Sequence, residues 1–174
     1  MIKKVCVKVA LLGTTMCALF ISSMMAQDAS FHSSIIGSNP HTIIAGVQSG
    51  GAPWTVRHGS ASLNGEGRLH IELKALILPQ LGTAGPVTGI SASLVCGGAG
   101  GVVVATTDAV PLSSDGNAEI EAHISVSSPC FAPIVLIRAA AFNGAPLPQP
   151  GPWIAATGFT GLSTTDEDKH EQGN

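Results

Sequence analysis

The residues best suited to chemistry are histidines and carboxylates that alternate with apolar residues in two segments. His70 and Glu72 occupy polar positions in residues 68–75, and Glu119, Glu121 and His123 do so in residues 118–126. Imidazole and carboxylate groups are usual ligands of zinc and copper. If the two segments pair as neighbouring strands, His70 and His123 approach each other with carboxylates beside them. The candidate metal ligands are therefore His70, Glu72, Glu121 and His123.

The same residues also fit an ordinary solvent-exposed strand face, because such a face must carry polar side chains. No HxH or HxxxH spacing occurs in the sequence. We therefore expect no bound metal and no cofactor, and keep the metal-binding protein as an alternative.

Other signatures of catalysis are weaker still. The glycine run at residues 97–101 resembles a phosphate-binding loop, but a strand-like valine run follows it where such a loop needs a helix. The sequence contains no Gly-x-Ser-x-Gly motif. We predict no catalytic residue and a non-enzymatic protein, and an unrecognised hydrolase remains a further alternative.

The elements that would position these residues are strands. Residues 68–75 alternate strictly between polar and apolar, which is typical of a strand with one buried face. Asn64-Gly65, just before them, suits a two-residue hairpin turn. Residues 134–137 form a continuous apolar run, which predicts a strand buried on both faces. Seven or eight such strands, separated by turns, predict an all-β fold, an antiparallel two-sheet sandwich that is immunoglobulin-like or related.

The first 26 residues have the order of a secretory signal peptide. A basic start with Lys3, Lys4 and Lys8 precedes an apolar run, and small residues lead to Ala26. We therefore expect a secreted or periplasmic protein with no stable membrane insertion once the signal is removed. In an oxidising compartment, the two remaining cysteines, Cys96 and Cys130, are expected to form one disulfide.

Composition divides the rest of the chain. Residues 27–42 are polar and predict a flexible N-terminal arm, residues 43–162 predict the sandwich domain, and residues 163–174 predict a disordered acidic tail. After residue 26, five Lys and Arg face eleven Asp and Glu, a formal net charge of −6. This balance argues against nucleic acid as a partner. Trp54 and Trp153 each follow a proline and are interpreted as core residues rather than a ligand platform.

Residues 54–159 resemble a family of small secreted bacterial proteins of unknown function. The similarity is carried by residues 53–56, 67–76, 86–96, 105–112, 133–138 and 153–158. A fainter resemblance is to the CHRD domain, a secreted β-domain with a central strand and later hairpins. That domain has a His-x-His on its central strand, where this sequence reads Ser91-Ala92-Ser93.

These observations predict an exported binding or structural module of the envelope or the extracellular space. Its expected partner is a protein or a glycan at the cell surface.

Overall fold

A computed structural model describes residues 30–126 and 129–158 of this chain. The predicted signal peptide, residues 1–26, and the predicted tail, residues 163–174, lie outside the described residues. Within the described ranges, no helix is long and apolar enough to cross a membrane. Regular structure there consists of strands and one 3₁₀ turn, so the expected all-β class is confirmed.

The described residues form twelve strands. They are β1 (Phe31–Gly37), β2 (Ile43–Ile44), β3 (Val47–Gln48), β4 (His58–Leu63), β5 (Arg68–Lys74), β6 (Val87–Cys96), β7 (Val102–Thr106), β8 (Val110–Pro111), β9 (Ala118–His123), β10 (Ile134–Phe142), β11 (Ala145–Pro146) and β12 (Trp153–Thr157). The 3₁₀ turn, Gly98–Gly100, connects β6 to β7 within the glycine run. One large antiparallel sheet contains ten strands. Eight of them follow the order β7-β6-β10-β12-β1-β4-β5-β9, and the other two are β8, which pairs with β6, and β11, which pairs with β10. Strands β2 and β3 form a separate two-stranded sheet.

The large sheet curls around a shared core. Ile71 of β5 and Ile120 of β9 belong to the same buried cluster as Ile90 of β6 and Ile137 of β10, although these strands come from opposite ends of the sheet. The alternation in residues 68–75 has the predicted result: Leu69, Ile71 and Leu73 are buried, and the polar residues between them face outward.

The strands β6, β10 and β12 are covered on both faces. Val135 and Ile137 lie in the main core, and Leu136 between them packs with Val95 and Trp153 in a second cluster. The β2–β3 hairpin packs against this second cluster. The prediction that residues 134–137 are buried on both faces is confirmed, as is the burial of both tryptophans.

The predicted N-terminal arm is wrong over Phe31–Gly37, which form β1. The first half of β1 pairs with β4, with Phe31 opposite Leu63, and the second half pairs with β12, with Gly37 opposite Ala155. Ile35 lies in the core. The polar sequence concealed this strand because Ser33 stands between Phe31 and Ile35 on the inward side and interrupts the apolar alternation.

The predicted two-residue hairpin at Asn64-Gly65 is also wrong, because four residues separate β4 from β5. The Asn64 side chain accepts hydrogen bonds from the backbone of Glu66 and Arg68, and Gly67 adopts a positive φ of 86°. The side chain of Asn64 therefore stabilises a longer turn, a local interaction that asparagine favours.

A disulfide joins Cys96 at the end of β6 to Cys130, just before β10, with the two Cα atoms 5.1 Å apart. Strands β6 and β10 are neighbours, with Val95 opposite Ile134. The bridge therefore closes the end of a strand pair that hydrogen bonds already hold.

Candidate functional site

The outward face of β4, β5 and β9 carries the predicted metal ligands. Strand β5 lies between β4 and β9, so each residue from Leu69 to Leu73 has a partner on either side. His70 lies opposite Ser62 of β4 and Glu121 of β9, and Glu72 lies opposite Glu119. This register determines which side chains share a patch of surface, since directly opposite residues in an antiparallel pair are the nearest neighbours.

The resulting cluster contains His70, Glu119 and Glu121. The Nδ1 atom of His70 is 3.8 Å from a carboxylate oxygen of Glu119 and 3.7 Å from one of Glu121. One ligand atom from each of the three residues lies within 4.8 Å of the others. All three side chains are exposed, with 47%, 62% and 78% of their surfaces accessible. The cluster offers one nitrogen and two carboxylates to a cation at an open surface.

Two of the predicted metal candidates lie outside this cluster. Glu72 forms an ion pair with Lys74, with 3.0 Å between the carboxylate oxygen and Nζ. The hydrogen bond and the positive charge of Lys74 lower the pKa of Glu72 below its ordinary value of 4.5. His123 lies opposite Arg68 instead of opposite His70. The expected approach of His70 and His123 is therefore replaced by one histidine with two carboxylates.

Ser62, His70 and Glu121 lie in one row across three strands, the residue order of a hydrolase triad. Among the described side chains, no hydrogen bond joins the Ser62 hydroxyl to His70. The row lies on an exposed sheet face, whereas stabilisation of an oxyanion is strongest in an enclosed, water-poor site.

A groove beside the exposed face of β4 was not predicted from the sequence. It opens where β1 leaves β4 after the pair Ser34–Ser60 and turns to β12. The two segments meet again where the Trp54 backbone amide donates to the Ser38 carbonyl at 2.9 Å. The gap between these two contacts has a volume of about 930 Å³ and is lined by residues of β1, the segment before β4, and the start of β4.

Two glycines let the walls of the groove approach closely. A Cβ atom on Gly37 would lie 1.9 Å from the Trp54 carbonyl oxygen, and one on Gly59 would lie 2.8 Å from the Ile35 Cβ. Only glycine permits such close contacts without displacement of the neighbouring atoms. The base of the groove is therefore tightly packed at these two glycines.

The ionisable side chains that line the groove are His32, Arg57 and His58, and all three are exposed. No Asp or Glu lines it. Among the described residues, Arg57 has no carboxylate within ion-pair distance. Ser34, Thr55 and Ser60 add hydroxyl groups. The groove therefore favours an anionic ligand that accepts and donates hydrogen bonds.

No protein-family model, no curated protein and no solved structure matches this chain. The resemblances to the small secreted bacterial family and to the CHRD domain stay predictions.

Proposed function

We propose that this chain is an exported, non-enzymatic binding module with a two-sheet sandwich fold, acting in the periplasm or outside the cell. The groove between β1 and the segment before β4 carries this proposal. Its lining combines two histidines and several hydroxyls with Arg57, which has no carboxylate of the described residues within ion-pair distance. Its volume of about 930 Å³ falls within the usual range of ligand pockets. The disulfide supports a location outside the cytoplasm, since structural disulfides persist in oxidising compartments.

The ligand that fits best is an acidic glycan at the cell surface. Arg57 offers a planar guanidinium that can hold a carboxylate with two hydrogen bonds. The hydroxyls of Thr55 and Ser60 can hydrogen-bond to sugar hydroxyls along the groove. An acidic protein segment shares the charge but not the density of hydroxyls, so the glycan is the favoured ligand.

Titration of the exported protein with an oligogalacturonate, followed by NMR of backbone amides, tests this function. A neutral oligosaccharide of equal length serves as the ligand control. The acidic oligosaccharide should shift the amides of Ile36, Arg57 and His58, and the neutral one should not. Arg57→Ala should weaken binding about tenfold, since a hydrogen bond to a charged group contributes about 1.5 kcal/mol or more.

Arg68→Ala is the matched variant, because Arg68 is equally cationic but lies outside the groove and pairs with Glu66. It should leave the affinity unchanged. Equal losses in the two variants, shifts confined to other strands, or preference for an acidic peptide over the oligosaccharide would contradict the glycan proposal. Cleavage of the oligosaccharide, or labelling of Ser62 by a serine-reactive phosphonate, would contradict the non-enzymatic assignment.

A metal-binding function is the second candidate, and the cluster of His70, Glu119 and Glu121 favours it. The experiment is calorimetric titration of chelator-treated protein with zinc and with copper. Binding of one ion per chain would support a metal site. Heat changes no larger than those of a buffer blank would exclude it.

A further inference from the structure

The last described residue of the chain lies beside the groove. The Gly158 amide donates to the Ser34 carbonyl at 3.0 Å, and the Ser34 hydroxyl donates to the Gly158 carbonyl at 3.1 Å. Gly158 also lies against the side chain of Ile36, since a Cβ there would be 3.2 Å from the Ile36 Cδ1. Ser34 and Ile36 both line the groove. The last described residue therefore lies beside β1, one strand away from the groove.

The residues that follow carry the charge opposite to that of the groove. Between positions 166 and 171 the sequence has four carboxylates, Asp166, Glu167, Asp168 and Glu171, and one cation, Lys169. The groove presents Arg57, His32 and His58. The carboxylate nearest to the groove along the β4–β5 ladder, Glu72 opposite Ser60, is already paired with Lys74. The groove and the sequence that follows the described residues thus carry opposite charges.

The distance is within reach. Asp166 follows Gly158 by eight residues, and eight residues span at most about 28 Å. The way from Gly158 into the groove crosses one strand, β1, and neighbouring strands are separated by about 4.8 Å. A short covalent connection gives an effective concentration in the millimolar range, so an affinity too weak for free molecules suffices.

We propose that the acidic segment 166–171 occupies the groove of its own chain and competes with the external ligand. This inference rests on the proposed function, since it makes the segment a self-ligand of the same site. Its carboxylates take the positions next to Arg57 that a uronate carboxylate would take. An external acidic glycan must displace the segment before it binds.

The test uses the full exported protein with the segment neutralised by Asp166→Asn, Glu167→Gln, Asp168→Asn and Glu171→Gln. The matched control is Glu119→Gln with Glu121→Gln, which removes carboxylates from the β9 edge. The first variant should shift the amides of Ile36, Arg57 and His58, and the second should leave them unchanged. High salt should produce in the parent protein the shifts that neutralisation produces, because it screens the same attraction.

The second measurement is the affinity for oligogalacturonate. If the segment fills the groove in about nine-tenths of the molecules, the apparent affinity for the oligosaccharide is reduced about tenfold. Neutralisation of the segment should recover about that factor. Unchanged affinity together with unchanged groove amides would overturn this inference and leave the glycan proposal standing. Shifted groove amides without any oligosaccharide binding would support the segment and overturn the glycan ligand. Shifts that grow with protein concentration would assign the segment to a second copy and overturn occupation within one chain.

Discussion

His70 lies directly opposite Glu121 across the β5–β9 ladder, with 3.7 Å between Nδ1 and the carboxylate oxygen. The other histidine of this face, His123, lies opposite Arg68. A shift of two residues in the register would have brought the two histidines together and moved Glu121 away. The register therefore determines that this surface offers one imidazole with carboxylates instead of a histidine pair.

If the cluster binds zinc or copper, substitution of His70 and substitution of His123 must change the metal affinity differently. His70→Gln removes the single nitrogen ligand of the cluster. It should therefore lower metal affinity at least tenfold, which corresponds to about 1.4 kcal/mol. His123→Gln changes the same residue type on the same face outside the cluster and should leave the affinity unchanged. Calorimetry of both variants checks this, and equal losses would place the ion elsewhere.

Removal of the disulfide should destabilise the fold without changing it. The bridge closes a separation of 34 residues, for which the loss of chain entropy in the unfolded state corresponds to about 4 kcal/mol. The double variant Cys96→Ser, Cys130→Ser should therefore unfold at lower urea concentration than the parent. A reducing agent should lower the midpoint of the parent and leave that of the variant unchanged. Equal midpoints of parent and variant without reductant would show that the bridge contributes nothing to stability.

The strands were predictable where a single physical signal determined them. Residues 68–75 alternate without a break, and residues 134–137 are apolar throughout, so both strands followed from the sequence. Strand β1 did not, because Ser33 interrupts its inward side. The groove depends on β1 exchanging β4 for β12, a long-range pairing that no local pattern encodes. For the same reason, the sequence identified the residues of the histidine face but not which of them lie together.

The close approach of Gly37 to the Trp54 backbone predicts a large effect of a single methyl group. In Gly37→Ala the new Cβ would lie 1.9 Å from the Trp54 carbonyl oxygen, and backbone must move to relieve the contact. We expect a loss of about 2 kcal/mol or more, as for other overpacked sites. Gly51→Ala is the matched control, because nothing lies within 4 Å of its Cβ position. Urea unfolding of both variants checks the difference, and equal midpoints would contradict the tight contact.

Arg138 should stabilise the proline-rich loop after β11. Its Nε donates to the Gly151 carbonyl at 2.8 Å, and its Nη2 donates to the Pro150 carbonyl. Partial burial lowers the pKa of Arg138. Arg138→Met leaves two carbonyls without these donors and should cost about 1–3 kcal/mol. Hydrogen exchange at the Gly151 amide, which donates to Ala139, should accelerate in this variant, and Arg138→Lys should restore part of the protection. Unchanged exchange at Gly151 would show that Arg138 does not hold the loop.

Glu72 predicts a small dependence of stability on pH with a definite sign. Lys74 lowers the pKa of Glu72 in the folded protein below 4.5, chiefly through the side-chain hydrogen bond. The ion pair therefore contributes fully above pH 4.5, and its contribution is lost as the pH falls through the lowered pKa of the folded state. The contribution is small because both side chains are exposed to solvent.

NMR titration of the Glu72 carboxyl carbon measures the pKa of Glu72 directly. In Lys74→Gln it should rise towards 4.5, and in the control Arg68→Gln it should stay where it is in the parent. An unchanged titration in Lys74→Gln would mean that the 3.0 Å ion pair is not maintained in solution.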